Sequence, residues 1–346
     1  MLMVDIQKAF GSFRLDVSFT AEKETIGLLG ASGCGKSMTL RCIAGIVKPD
    51  SGKIVLDGQT LFDSERGIDL PPQKRRVGLL FQNYALFPNM TVEQNILTGL
   101  RRSGLAQHAK RVRVAEVVER LQLGGLERRR PHQLSGGQQQ RAALARILVS
   151  EPRILMLDEP FSALDSFLRW QTEREVLRVL EQFNGPALFV SHNRDEIYRL
   201  CDKVAVYDRG RIDAYCEKWA LFQSPHTRAA ALLTGCKNIA DAYPSGENAV
   251  TVPAWNLTLR AAAPMAGDVS AVGIRAHFFR PGGTENAFAC RVEQVIESPF
   301  EVRVLVRPKG ASQSLCWILN KAEYAALPNR ESLTLSVSPS DILPLR

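Results

Sequence analysis

The sequence predicts an α/β domain over residues 1–235 and a small all-β domain over residues 236–346. The first part alternates short apolar runs, of the kind buried in a parallel sheet, with stretches compatible with helices. One of those runs feeds a glycine-rich loop that opens directly into a helical stretch. From Lys237 onward the pattern changes to short alternating runs broken often by Pro and Gly, the mark of small antiparallel strands and turns.

Four runs read as central strands: residues 26–29, 77–81, 154–157 and 187–190. Residues 38–45, 109–123 and 138–148 read as helices between them. In the second part, residues 301–306 and 333–337 alternate apolar and polar side chains, while Pro281-Gly282-Gly283 and Pro308-Lys309-Gly310 mark turns. Two pieces there end alike. One is Val272-Gly273-Ile274 followed by Phe279 and Pro281; the other is Leu335-Ser336-Val337 followed by Ile342 and Pro344. A duplicated β unit and a coincidence of strand patterns explain this equally well. Arg128-Arg129-Arg130 reads as a solvated loop before a helix.

Composition sets outer limits. A chain of 346 residues is long enough for two domains. With 45% hydrophobic and 23% charged residues it is an ordinary globular chain, which excludes collagen-like, disordered and disulfide-scaffold classes. No run approaches the ~18 apolar residues of a membrane-spanning helix, and the first residues show no basic-then-apolar leader. The 7 cysteines include no Cys-x-x-Cys pair and read as free thiols in a reducing cytosol. A net charge of +8 suits nucleic acid, an anionic membrane surface or no specific partner, and does not choose among them.

The loop Gly30-Ala31-Ser32-Gly33-Cys34-Gly35-Lys36-Ser37 fits G-x-x-x-x-G-K-[ST] in the strand–loop–helix context that the pattern requires. Its glycines let successive backbone N–H groups curve around a phosphate, and the helix N-terminus adds its positive end. Lys36 is expected to bridge the β- and γ-phosphates of ATP and the Ser37 hydroxyl to ligate Mg²⁺. Cys34, beside that helix start, is expected to be a reactive thiol that Mg-ATP shields. The run 154–157 ends in Asp158-Glu159. A buried strand ending in an acid places Asp158 near a loop-bound Mg²⁺, and Glu159 one residue on, where it can orient or deprotonate an attacking water.

Between these elements lies Leu134-Ser135-Gly136-Gly137-Gln138. With this string the chain resembles the nucleotide-binding subunit of ATP-binding-cassette transporters, whose signature is LSGGQ. The resemblance implies a cassette with a helical signature subdomain over about residues 83–150, followed by an oligosaccharide-binding-fold-like β domain. It implies a homodimer in which Ser135, Gly136, Gly137 and Gln138 of one copy close on the ATP held by the other, a contact that makes two identical sites at once. Phe10 resembles the adenine-stacking aromatic, with Phe13 a competitor and core packing an alternative. Met38 stands where a second hydroxyl is frequent, leaving its backbone amide for the α-phosphate. Gln82 resembles the residue that contacts Mg²⁺ and the attacking water. Asp165, in Ser162-Ala163-Leu164-Asp165, resembles the loop through which subunits touch, and His192 the switch histidine at the γ-phosphate.

The resemblance further implies an ATP hydrolase at the cytoplasmic face of the cell membrane, joined to separate permease subunits and indirectly to a solute-binding protein. Its permease contact is expected over residues 82–100, where Tyr84, Leu86, Phe87 and Pro88 offer apolar side chains. Residues 62–78, Asn83 to Pro88 and Thr234 to Asn238 look most like the molybdate/sulfate branch, which implies molybdate, tungstate or sulfate as cargo. Importers of sugars, polyamines or iron are the alternative. A soluble relative acting on nucleic acid or the ribosome fits poorly, because residues 36–158 leave no room for a coiled-coil insertion. At the end of the β domain, residues 337–342 carry Asp341 and no Lys, so regulatory oxyanion binding there is not expected.

Overall fold

The computed structural model describes residues 1–346 except Ala163, Asp165, Ala263, Pro264, Ala266 and Gly267, and excludes the side chains of Ser166 and Phe167. The chain divides into compact units of residues 1–218 and 219–346. The sequence had suggested a boundary at residue 235. The helices that begin at Lys218 and Arg228 account for the difference. Ala231 and Cys236 are buried with Ala271, Leu343 and Leu345 of the β unit, and Arg275 donates to the carbonyls of Phe222 and Thr234.

In the first unit the elements run β1 (Leu2–Phe10), β2 (Phe13–Ala21), β3 (Thr25–Gly30), α1 (Lys36–Ala44), β4 (Ser51–Leu56), β5 (Gln59–Asp63) and β6 (Ile68–Asp69). They continue through β7 (Val77–Leu80), α2 (Val92–Gly99), α3 (Gln107–Arg120), α4 (Gly136–Leu148), β8 (Ile154–Asp158) and α5 (Ser166–Gln182). The unit closes with β9 (Ala187–Ser191), α6 (Arg194–Leu200), β10 (Lys203–Asp208) and β11 (Arg211–Glu217). The sheet order among the described residues is β6-β5-β4-β1-β2-β11-β10-β3-β9-β8-β7. Strands β10, β3, β9, β8 and β7 run parallel, and β3, β8 and β9 are buried along their whole length. Strands buried on both faces read as near-continuous apolar runs, and residues 26–29, 154–157 and 187–190 within them do.

Helices α2, α3 and α4 form the helical part. Thr91 caps α2 and Ser135 caps α4, each in a reciprocal box with the Gln three residues on. Arg128, Arg129 and Arg130 are exposed in the connection before α4.

The second unit is all-β apart from short helices. Its five-stranded sheet has Phe288–Glu297, Glu301–Pro308 and Leu315–Asn320 as successive antiparallel neighbours. A core of alternating inward residues, with Trp255, Val304, Val306 and Trp317 among them, fills it. The two pieces with like endings lie antiparallel to each other. Val272 faces Pro344 in one sheet, and Pro281 faces Leu335 in another. The fold is the cassette with an appended curled, oligosaccharide-binding-like β domain.

Candidate nucleotide site

Register brings the chemistry to one edge. In the parallel sheet Leu29 lies opposite Ser191, Asp158 opposite Val190, and Leu80 opposite Leu157. The carboxyl ends of β3, β9, β8 and β7 therefore line up, and with them the loop after Gly30, His192, the Asp158-Glu159 pair and the turn holding Gln82. Ligands of open α/β sheets bind at this edge.

The loop needs its glycines. Gly33 and Gly35 have φ of 80° and 108°, a region that side chains with a Cβ avoid. A Cβ on Gly30 would come within 2.6 Å of the Tyr207 carbonyl. Ala31, Ser32 and Gly33 are exposed, whereas Cys34 is buried beneath them. Cys34, expected to be a reactive thiol that Mg-ATP shields, is 7% exposed and lines the cleft from beneath the loop. Lys36, 5% exposed, donates to the carbonyls of Gly30 and Ala31, both at 2.8 Å. Its ammonium is held inside the loop's curve, ready for a phosphate. Met38 is half-buried and packs on the core below.

Ser37 donates from Oγ to Asp158 Oδ1 at 2.7 Å. Asp158 is 7% exposed. Burial pushes its carboxyl up, the Ser37 hydrogen bond pulls it down, and neighbouring Glu159 raises it again. Among the described residues no group of three or more His, Cys, Asp or Glu could cage an ion by itself. A hydroxyl and a carboxylate meeting at a phosphate loop is the donor set for Mg²⁺, a hard cation that takes one or two protein oxygens and completes its shell with phosphate and water. The residues fit that ion.

Glu159 has φ 46°, a strained value for a side chain with a Cβ, and such strain clusters at functional sites. Its amide donates to the Val190 carbonyl at 3.1 Å, and its Oε1 lies 3.5 Å from His192 Nδ1. The His192 side chain is 62% exposed. Gln82 is exposed in the turn after β7. Asp165 lies outside the described residues. Ser162, at the head of its loop, donates to the Glu159 carbonyl at 3.0 Å.

A cleft of about 910 Å³ beside the loop is lined by Phe13, Ala31, Ser32, Gly33 and Cys34 together with residues around Asp208. Phe10 and Phe13 face each other in the β1–β2 hairpin. The Phe13 ring lies where a Cβ on Gly35 or Gly210 would approach it to 3.2 Å, so it is engaged in packing under the loop. The Phe10 ring is 36% exposed, with Lys8 Nζ 5.5 Å from its centre.

The signature string forms a helix start. Ser135 Oγ accepts from the Gln138 amide at 3.3 Å, and the Ser135 amide donates to Gln138 Oε1 at 2.9 Å. A Cβ on Gly136 would meet Leu164 at 2.8 Å, and one on Gly137 would meet Thr172 at 3.2 Å. In the expected permease-facing segment Tyr84 is corrected. It is buried, with its hydroxyl donating to the Pro160 carbonyl, because Tyr84 and Ala85 turn at φ 58° and 46°. Phe87, Pro88 and Met90 remain exposed.

Sequence reasoning missed Ser191, Asn193 and Glu196, which bracket His192. Glu196, 4% exposed, accepts from Ser191 Oγ at 2.6 Å. A Ser ending a strand and a Glu early in a helix carry no signal of this by themselves. In the second unit, burial pushes the Asp341 carboxyl above its ordinary value, and Arg280 and His277 offset only part of that rise.

A family model described as ABC transporter matches residues 15–162. The chain is 36% identical over 344 residues to the spermidine/putrescine import ATP-binding protein PotA of Rubrobacter xylanophilus, covering 96% of this chain and 90% of that protein. It is 41% identical over 229 residues to the molybdenum import ATP-binding protein ModC of Paramagnetospirillum magneticum, covering 66% of this chain and 62% of that one. Among solved structures, the dimeric post-hydrolysis state of the ATP-binding cassette MJ0796 bound to ADP and Pi aligns with TM-score 0.53 and 26% identity, covering 63% of this chain and 99% of that one. Cassette cbiO1 from Clostridium perfringens, part of the transporter complex cbiONQ, aligns with TM-score 0.54 and 27% identity, covering 64% of this chain and 90% of that one.

Proposed function

We propose that this chain, which belongs to the family of ATP-binding-cassette transporter ATPases, powers solute import as one of two identical ATP-hydrolysing subunits. The observation that carries the reading is the convergence of Lys36, Ser37, Asp158, Glu159 and His192 on one sheet edge, with Ser37 2.7 Å from Asp158. Lys36 and the loop amides hold the phosphates of ATP. Ser37 and Asp158 would hold Mg²⁺, with Gln82 near it and the attacking water; the ion would supply charge neutralisation at the phosphates. Glu159 accepts a hydrogen bond from the attacking water and takes its proton, while His192 steadies the γ-phosphate side. The exposed Phe10 ring stacks on adenine, and Phe13 supports the loop from below.

The Ser135 helix start and the Asp165 loop serve the partner copy's nucleotide, so closure of the pair requires ATP in both sites. The dimeric cassette structure with ADP and Pi supports the pairing of two copies. No helix among the described residues is long and apolar enough to cross a membrane. The import ATP-binding relative and the cassette of a transporter complex support separate permease subunits, met at the cytoplasmic face, as the path of the solute. Phe87, Pro88 and Met90, exposed in residues 82–100, are the contact offered to them.

Cargo is chosen by those partners. The relative matched along nearly the whole chain, β domain included, is named for spermidine and putrescine, which favours a polyamine. The molybdenum relative matches about as closely over the cassette portion alone and keeps an oxyanion as the second reading. Reconstitution of the chain with its permease in lipid vesicles tests both. ATP hydrolysis stimulated by putrescine or spermidine with their binding protein supports the first, and stimulation by molybdate or sulfate supports the second. Absence of ATP hydrolysis in any such complex overturns the proposed function itself.

A further inference from the structure

His192 sits at the end of β9 with 62% of its side chain exposed. A mostly solvated ring has few contacts to hold it, so its place is set by the residues on either side. Both are held by one carboxylate. Ser191 Oγ donates to Glu196 Oε2 at 2.6 Å and accepts from the Asn193 amide at 2.9 Å. Asn193 Nδ2 donates to Glu196 Oε1 at 3.4 Å. Glu196 itself is 4% exposed. A buried carboxylate is stable only when its oxygens are partnered, and here the partners are the flanks of the switch histidine.

The same carboxylate has a second attachment. Arg169 of α5 lies 3.9 Å from Glu196 Oε1, and its Nη2 donates to the Phe161 carbonyl at 3.3 Å. Phe161 belongs to the loop that leaves Glu159, where Ser162 also holds the Glu159 carbonyl. Glu173, 8% exposed, is the like charge nearby; Arg199 pairs with it through two donors.

We infer that Glu196 is a positioning residue for His192: its buried carboxylate clamps both flanks of the histidine and, through Arg169, ties them to the loop that follows Glu159. Among the described residues the hydrogen-bond and ion-pair partners of Glu196 are Ser191, Asn193 and Arg169, none of them in the phosphate loop, so nucleotide binding is left to other groups. Turnover involves Glu196, because a switch side chain displaced by about 1 Å loses most of its effect. The inference rests on the roles proposed for Glu159 and His192.

The experiment is a double-mutant cycle on the purified full chain, reading kcat, ATP affinity and Tm. Glu196→Ala lowers kcat about 10- to 100-fold with ATP affinity kept within about threefold. Glu196→Gln recovers part of the loss, since its carbonyl still accepts from Ser191. In a His192→Ala background neither change lowers kcat further, because the group they position is gone. Ser191→Ala, a smaller perturbation, reproduces the same pattern and carries the test where Glu196→Ala does not fold. Losses that multiply in the His192→Ala background, or that fall on ATP affinity, or a Ser191→Ala of unchanged kcat, overturn the inference. A His192→Ala chain with wild-type turnover instead overturns the role proposed for the histidine.

Discussion

Replacing Arg75 by Met probes whether the phosphate-loop helix is fixed from its far end. The Arg75 side chain is fully buried between α1 and the start of β7. Its Nη1 donates to the carbonyls of Cys42 and Ile43 at 2.8 and 3.0 Å, its Nε to that of Leu70 at 2.6 Å, and its Nη2 to Asp69 at 2.7 Å. Two of these carbonyls lie in the last turn of α1, at the negative end of the helix; that of Cys42 also accepts from the Gly45 amide at 3.1 Å. Gly45, at φ 77°, leaves room for the guanidinium, since a Cβ there would come within 2.5 Å of Nε. Met keeps the volume but takes away the donor of the Leu70 and Ile43 carbonyls at ~1–3 kcal/mol each, part of which relaxation recovers, and leaves Cys42 with the Gly45 amide alone. The loss expected is about 3–5 kcal/mol, as for breaking other buried charged networks. Calorimetry of the full chain then shows the transition of the first unit falling by about 6–20 °C, at ~2–4 °C per kcal/mol for a unit of this size. ATP affinity falls with it, because Lys36 and Ser37 open the same helix. An Arg75→Met chain melting within about 2 °C of the parent refutes the reasoning.

Asp158→Asn trades function for stability. The Asp158 carboxyl is raised in the folded state, chiefly by burial, so its ionisation opposes folding above that raised pKa. The variant without nucleotide melts higher than the parent near neutral pH, and the difference shrinks as pH falls through the raised pKa toward the ordinary carboxylate range; Mg²⁺-dependent ATP binding is lost. A lower Tm at neutral pH contradicts the assignment of burial as the dominant cause. For Cys34, buried under the loop, alkylation of a chain keeping only that thiol abolishes ATP binding and Mg-ATP slows the reaction at least about 10-fold, whereas Cys34→Ala stays active. Equal rates with and without Mg-ATP count against the loop as the nucleotide site. Phe10→Ala weakens nucleotide binding by ~1–3 kcal/mol, the loss of one base stack; titration with a fluorescent ATP analogue reads it, and unchanged affinity removes Phe10 from the site.

Much of the site was legible because its residues are local in sequence. Gly30 to Ser37 is a contiguous loop whose conformation each glycine dictates, and Asp158 follows a run that can only be a buried strand. The helix start at Ser135 was legible for the same reason: its cap bonds span three residues. What stayed hidden was tertiary. Tyr84 looked like an outward apolar side chain, and only the left-handed turn at Tyr84 and Ala85 folds it inward. Arg75 lay in a polar stretch that reads as surface, yet its side chain is fully buried by bonds to residues about thirty positions away. The unit boundary moved because Ala231 and Cys236 are apolar residues whose burial partners lie beyond residue 270. The groups that act on Asp341 are Arg280 and His277, about sixty residues earlier in the chain.

Glu159→Gln tests the central claim most directly, since it changes one oxygen of the carboxylate proposed as the base to an amide without altering size. A general base contributes ~10²–10⁴-fold to such a reaction. The account predicts that the variant binds Mg-ATP as the parent does, hydrolyses it at least about 100-fold more slowly, and persists with ATP as a dimer on a sizing column while the parent does not. Hydrolysis at the parental rate, or a chain that stays monomeric at saturating ATP, contradicts it.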